Sequence, residues 1–229
     1  MNILAIDSAS ISASCALIAG GALVCEKTVQ NGLTHSQTLM PMIDEVLGEA
    51  KLSAAEVDLF ACTAGPGSFT GLRIGMGTIK GLAYAVGKPV APVSTLLALA
   101  SNFYETSLLV SPIMDARRHQ VYNGLYRFSK DKMETVAPPR AITVAELAGE
   151  ICEPVLFVGD GVFTYRDYLK EALGDKARFA PENACILRAS SVALAARQVT
   201  AVSASEAGLV YLRKSQAERE REEREKNLK

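Results

Sequence analysis

The stretch Gly65-Pro66-Gly67-Ser68-Phe69-Thr70-Gly71-Leu72-Arg73-Ile74-Gly75 sets two hydroxyls and a guanidinium among four glycines. The apolar run before it, Leu59 to Ala64, has the length of a buried strand, and Gly71 to Val86 has helical length and periodicity. A strand-to-helix junction of this kind offers free backbone N–H groups to an anion such as a phosphate. It serves equally as a tight turn that lets helix and sheet pack closely, or as a smooth face for another helix or subunit. Glycine inside a helix costs ~1 kcal/mol relative to alanine, so Gly75, Gly77 and Gly81 together forgo roughly 3 kcal/mol of intrinsic helix stability. The spacings Gly71/Gly75 and Gly77/Gly81 put a side-chain-poor patch on successive turns.

Several chemistries are disfavoured by the residues around that loop. Gly65, Gly67 and Gly71 read G-x-G-x-x-x-G, and no acid follows near the end of the next strand, Val90-Ala91-Pro92-Val93, as dinucleotide binding requires. No G-x-x-x-x-G-K-[ST] string exists. Ser68 has Pro66 and Thr70 where a nucleophile elbow needs glycines. His35 and His119 belong to no H-x-x-x-H or H-E-x-x-H pair, so no bound metal is expected. With no acidic orienter beside it in sequence, His35 is expected to help open a helix by hydrogen bonding rather than to act as a base. Cys15, Cys25, Cys62, Cys152 and Cys185 form no Cys-x-x-Cys pair and read as buried packing thiols.

The elements that carry these residues come in two similar sets. Strands Ile3–Asp7, Cys15–Ala19 and Leu23–Val29, with a Gly20-Gly21 hairpin turn, form a meander that feeds a helix from Ser36 to Leu47. A short capped helix at Ser53-Ala54-Ala55-Glu56 follows, then the Leu59–Ala64 strand, the glycine loop and its helix, Val90–Val93 and a helix from Ser94. Leu108–Met114 then ends in Asp115 as Ile3–Ile6 ended in Asp7. Gln120–Phe128 is a long strand, and Val155–Val158 runs through Gly159-Asp160-Gly161 into a helix from Val162 to Leu173. This is an α/β chain of two related lobes. The predicted division is 1–103 for the first lobe, 104–213 for a smaller second lobe and 214–229 for a polar tail.

A βββαβα lobe used twice, with an aspartate closing the first strand of each, resembles the actin, heat-shock-protein and sugar-kinase superfamily, whose lobes are ribonuclease H-like. Within it, Asn2-Ile3-Leu4-Ala5-Ile6-Asp7-Ser8, Thr34-His35-Ser36, the Gly65 to Gly75 loop, Met114-Asp115-Ala116-Arg117, Val121-Tyr122 and Val210-Tyr211-Leu212-Arg213 together resemble the TsaB (YeaZ) family. The resemblance implies a non-catalytic subunit of the bacterial machinery that places threonylcarbamoyl on an adenosine of tRNA. It implies TsaD as direct partner, TsaE through the complex, self-association as a homodimer when alone, and contact with tRNA only through the complex. ATP and threonylcarbamoyl-adenylate would be used by the assembled system, with no cofactor on this chain alone. The superfamily would assign a magnesium-bound phosphate to Asp7 and hydroxyl donation to Ser8. In this family Asp7, Ser8, Gly65, Gly67, Ser68, Thr70, Asp115 and Gly159 are expected to be vestiges of phosphate loops, with Asp7, Asp115 and the Gly159 turn serving as plain turns. An active phosphotransferase and a peptidase are the competing readings, and the peptidase lacks its histidine pair.

The partner surface is expected on the first lobe's helices. Leu39, Ile43, Val46 and Leu47 make a core stripe, and Met40 and Met42 add apolar surface beside it, with Pro41 bending or delaying the helix. The candidate interface is Leu39, Met40, Met42, Ile43, Gly71, Arg73, Gly75, Thr78 and Leu82, where Arg73 would meet an anion or a partner carboxylate. Simple burial under the second lobe is the alternative. In the tail, Glu220/Arg224 and Glu222/Lys226 stand at i,i+4 and support a frayed helix.

The 229 residues carry a net charge of −1 with no sustained basic patch, so another chain must supply most of any grip on RNA. Although 49% of residues are apolar, no uncharged run is long enough to cross a membrane. The amino terminus enters a strand without a basic region or a signal-type cleavage site, from which a cytoplasmic location is expected.

Overall fold

The computed structural model describes residues 1–30, 32–129 and 132–213. Strands β1 (Ile3–Asp7), β2 (Ala13–Ala19) and β3 (Ala22–Val29) form an antiparallel meander. Helix α1 (His35–Ala50) leads to β4 (Leu59–Gly65), which pairs parallel to β1; helix α2 (Phe69–Val86) leads to β5 (Val90–Ser94), parallel to β4. The sheet order is β3-β2-β1-β4-β5. Strand β1 is fully buried because alternate side chains serve two cores: Leu4 and Ile6 pack under α1 and α2, Ile3 and Ala5 on the opposite face.

After α3 (Thr95–Ala100) the order repeats as β6 (Leu109–Asp115), β7 (Gln120–Ser129), β8 (Lys132–Thr143), α4 (Val144–Glu150), β9 (Val155–Val158), α5 (Gly161–Leu173) and β10 (Ala177–Phe179). The second sheet runs β10-β9-β6-β7-β8, the same topology. Both sheets have five strands, so the reduction of the second lobe lies in its helices: α4 has 7 residues where α1 has 16, and α5 has 13 where α2 has 18.

Residues 129–154, between the expected strands Gln120–Phe128 and Val155–Val158, hold a further strand and helix, β8 and α4. Strand β8 contains Pro138 and Pro139, which it can hold because it lies at the sheet edge, where a missing N–H is tolerated. Helix α4 carries a readable capping box: the Glu146 amide donates to the Thr143 hydroxyl at 3.1 Å, and the Thr143 amide donates to the Glu146 carboxylate at 3.0 Å. Helix α1 has the same device at Thr34 and Gln37, and it continues through Pro41 because Leu39, Met42, Ile43 and Val46 are anchored in the core.

The lobe division needs correction at its far end. Helix α6 (Ala189–Ala196) is rich in alanine and serine, and it packs against α3 and against β1, β2, β4 and β5 of the first sheet. The chain then stays on the first lobe: Val202 bridges Val90, Lys80 donates to the carbonyls of Ser205 and Ala207 at 3.1 and 2.8 Å, and the Val210 amide donates to the Ala64 carbonyl at 2.8 Å. Residues 104–213 therefore do not close on themselves. One continuous core joins Ile3, Ala91 and Val93 of the first sheet to Val110, Ile113 and Phe157 of the second through Leu96 and Val192.

Two of the five cysteines also depart from expectation. Cys15, Cys62 and Cys185 are buried, but Cys152 is exposed, and half-buried Cys25 donates its thiol to Glu49 at 2.9 Å. Among the described residues no helix is long and apolar enough to cross a membrane. The tail, 214–229, lies outside the described residues.

Candidate functional site: interlobe cleft and outer helix face

The central strands β1 and β6 each end in an aspartate that closes an Asx turn. Asp7 Oδ1 accepts from the Ala9 amide at 3.0 Å and the Thr63 hydroxyl at 2.8 Å. Asp115 Oδ1 accepts from the Arg117 amide at 2.8 Å and the Tyr165 hydroxyl at 3.3 Å. Asp7 is wholly buried, and its Oδ2 has no hydrogen-bond partner among the described residues. Burial pushes its carboxyl up to about 6, against the opposing pull of the Ala9 amide, the Thr63 hydroxyl and nearby His35. With both oxygens shut away from solvent, Asp7 does not fit the role of magnesium ligand that the superfamily resemblance implies. Ser8 is equally committed: its buried hydroxyl donates to the Gly71 carbonyl at 2.9 Å. The His35 ring Nε2–H donates to the Ser10 carbonyl at 3.0 Å, tying the start of α1 to this turn.

The glycine loop is built for contacts inside the chain. A Cβ on Gly71 would stand 2.0 Å from the Ser8 carbonyl oxygen, and one on Gly75 would stand 2.2 Å from the Ser8 hydroxyl. These two glycines therefore do not belong to a partner surface; they let α2 press against the tip of β1. Gly65 and Gly67 are filled from within as well, by Val210 and Ala9. Ser68 caps α2 by accepting from the Gly71 amide at 3.2 Å, and Thr70 is exposed on the first turn.

Between the lobes lies a cavity of about 670 Å³ bordered by Ser10, Gly67, Asp115, Arg117, Asp160 and Tyr211. Burial raises the Asp160 carboxyl above the ordinary range, although it accepts from the Asp115 amide at 3.1 Å. The segment Val210–Arg213 crosses this cleft. Tyr211 stacks on Phe69 with centroids 4.7 Å apart, and the Arg213 guanidinium donates to the Ala116 carbonyl at 2.8 Å.

The outer helix face divides the expected interface. Leu39, Met42 and Ile43 are core residues, 1, 4 and 2% exposed, because their helical spacing faces the sheet. Met40 is 47% exposed, Thr78 and Leu82 are half-buried, and Gly77 and Gly81 are exposed, with no described residue within 4 Å of the point a Cβ would occupy. Tyr84 completes the row, 79% exposed. Arg73 is exposed, but it already has intrachain company: its Nε–H donates to the Tyr211 hydroxyl at 3.1 Å, and its guanidinium sits 3.9 Å from the Phe69 ring centre.

The family model for TsaD, tRNA N6-adenosine threonylcarbamoyltransferase, matches residues 30–220. The Bacillus subtilis tRNA threonylcarbamoyladenosine biosynthesis protein TsaB is 33% identical over 223 residues, 95% of this chain and 96% of that one. This chain belongs to the TsaB family. An uncharacterized Pseudomonas aeruginosa protein with similarity to peptidase YeaZ superposes with a TM-score of 0.80 at 29% identity, covering 93% of this chain and 99% of its own. Component A of the Acidaminococcus fermentans (R)-2-hydroxyglutaryl-CoA dehydratase, at TM-score 0.52 and 15% identity over 86% of this chain and 98% of its own, shares the two-lobed actin-like fold.

Two features of this chain lie beyond the sequence-derived site. One is Tyr211, whose contacts with Phe69 and Arg73 depend on a distant return of the chain. The other is the β6–β7 turn, where Arg117, Arg118 and His119 are all exposed with φ of 62°, 56° and 59°. Three adjacent basic side chain types after an aspartate were the available signal there.

Proposed function

We propose that this chain is a non-catalytic subunit of the machinery that forms threonylcarbamoyladenosine in tRNA, and that it docks a TsaD transferase through the outer face of α1 and α2. The observation that carries the docking reading is the pair Gly77 and Gly81. Each costs α2 ~1 kcal/mol relative to alanine, and neither is compensated by a close contact among the described residues. Flanked by exposed Met40 and Tyr84, they leave a shallow seat on which a second helix can lie close. The match of this chain to the TsaD family model supports a partner of related fold, and related helix faces can meet about a pseudo-twofold axis. The same seat would serve a second copy of this chain when TsaD is absent.

Asp7 and Ser8 are consumed in holding the first lobe together, which supports placing the reaction, with its ATP and threonylcarbamoyl-adenylate, in the partner. TsaE would join through the assembled complex, in the cytoplasm. The test is a Gly77→Leu/Gly81→Leu variant: it should melt cooperatively like the parent, fail to co-elute with TsaD, and fail to support tRNA modification by the reconstituted set. Unchanged co-elution would overturn the docking surface. Steady magnesium-dependent ATP turnover by the chain alone, abolished by Asp7→Ala, would instead favour the phosphotransferase reading.

A further inference from the structure

The β6–β7 turn holds three consecutive non-glycine residues in the left-handed region. That conformation costs an L-residue roughly 1–2 kcal/mol each, and such strain is retained where surrounding structure over-determines it. Here the Asp115 carboxylate holds the Arg117 amide, the Gln120 amide donates to the Arg117 carbonyl at 3.2 Å, and the Val144 amide donates to the His119 carbonyl at 3.1 Å. Glycine or asparagine would make this turn at lower cost, so its backbone alone does not account for two arginines and a histidine.

Their side chains are unspent. Among the described residues none of the three makes a side-chain hydrogen bond, ion pair or ring contact, whereas Arg127 and Arg140 of the same sheet are paired with Glu153 and Glu150. They border a cavity of about 700 Å³ whose opposite wall is α5, with Tyr165 and the 43% exposed Tyr168. Asp115, the one carboxylate among the described residues that line this cavity, is engaged by the Arg117 amide and the Tyr165 hydroxyl. What faces solvent is two guanidinium groups, an imidazole and a phenol ring. Guanidinium groups match phosphate oxygens in bidentate fashion, and an exposed tyrosine is a stacking platform for an unpaired base.

We propose that the Arg117–His119 turn and Tyr168 form a contact site for tRNA, with Arg117 and Arg118 on backbone phosphates and an unpaired base on Tyr168. This rests on the reading that the chain acts on tRNA within a complex. With a net charge of −1, the chain supplies a minor share of the grip and the partner the rest. The experiment measures tRNA binding against salt concentration, for the full chain alone at low salt and for its complex with TsaD. In an Arg117→Gln/Arg118→Gln variant the slope of log affinity on log salt should fall by about 1.4–1.8, the loss of two phosphate contacts. Tyr168→Ala should weaken binding about 5- to 160-fold, and Arg117→Lys/Arg118→Lys should keep the slope. Thermal melting and co-elution with TsaD should match the parent for all three. Unchanged slope and affinity in the glutamine variant would overturn the proposal. So would absence of tRNA binding by the parent chain in both settings, or weakened association with TsaD at an intact RNA slope, which would make the turn a protein contact. Failure of the parent to associate with TsaD would defeat the docking reading alone, since the free-chain arm still decides this site.

Discussion

At the tip of its central strand each lobe places an aspartate in the same turn, yet the two tips are finished differently. Asp7 is sealed: α2 lies against Ser8 with no room for a Cβ at Gly71 or Gly75, and Thr63 closes the carboxylate from the side. Asp115 is open, followed by a strained cationic turn, and its covering helix stands further off, with a Cβ on Gly161 3.0 Å from the Ile113 carbonyl oxygen. A shared backbone plan therefore does not impose a shared task. One tip serves as internal structure, and the other leaves its side chains for contacts beyond the chain.

The largest effect should come from forcing the sealed tip apart. Gly71→Ala sets a methyl 2.0 Å from a backbone oxygen that cannot rotate away, so it should cost the upper end of the ~1–3 kcal/mol typical of overpacking. At ~2–4 °C per kcal/mol, the melting temperature should fall by several degrees. Gly161→Ala, with more room, should cost less. Equal losses in calorimetry would erase the contrast between the tips.

The buried carboxylate supplies the next test. Its folded pKa of about 6 lies above its ordinary 3.8, so between these values the folded chain binds more protons than the unfolded one. Stability is then fully present below about pH 4 and is lost as pH rises through about 6, by up to ~3 kcal/mol at 1.36 kcal/mol per pKa unit. Urea titrations from pH 4 to 7 should show this decline in the parent and its absence in Asp7→Asn.

Smaller effects discriminate within α2. Gly77→Ala and Gly81→Ala each place a methyl in open space and should raise stability by ~1 kcal/mol, opposite in sign to Gly71→Ala. Smallest of all, Tyr211→Phe removes the hydroxyl that accepts from exposed Arg73 while keeping the ring stack. A loss of ~0.5–1 kcal/mol in chemical denaturation is expected.

How much of this could be read from the sequence depends on the range of the interaction. The meander, the Thr34 and Ser53 caps, and the strand–glycine–helix echo at Gly65 and Gly159 are local and legible. The facing of the α2 glycines was also recoverable: Gly75 falls within the buried stripe of Leu72, Met76, Ile79 and Ala83, whereas Gly77 is turned about 200° from it. Treating the glycines as one patch merged a packing surface with an open one. By contrast, α6 beneath the first sheet and Tyr211 on Phe69 depend on contacts across more than a hundred residues, for which periodicity carries no information. The tolerance of two prolines in β8 is of the same kind, since edge position is a property of the assembled sheet.

The hydrogen bonds of Val210 to Ala64 and of Arg213 to Ala116 fasten the ends of a four-residue stretch to different sheets. Widening the angle between the sheets must lengthen or unhook that stretch, since so few residues hold little slack. Deuterium uptake at the Val210 amide is accordingly a built-in gauge of hinge motion, readable without attaching a probe.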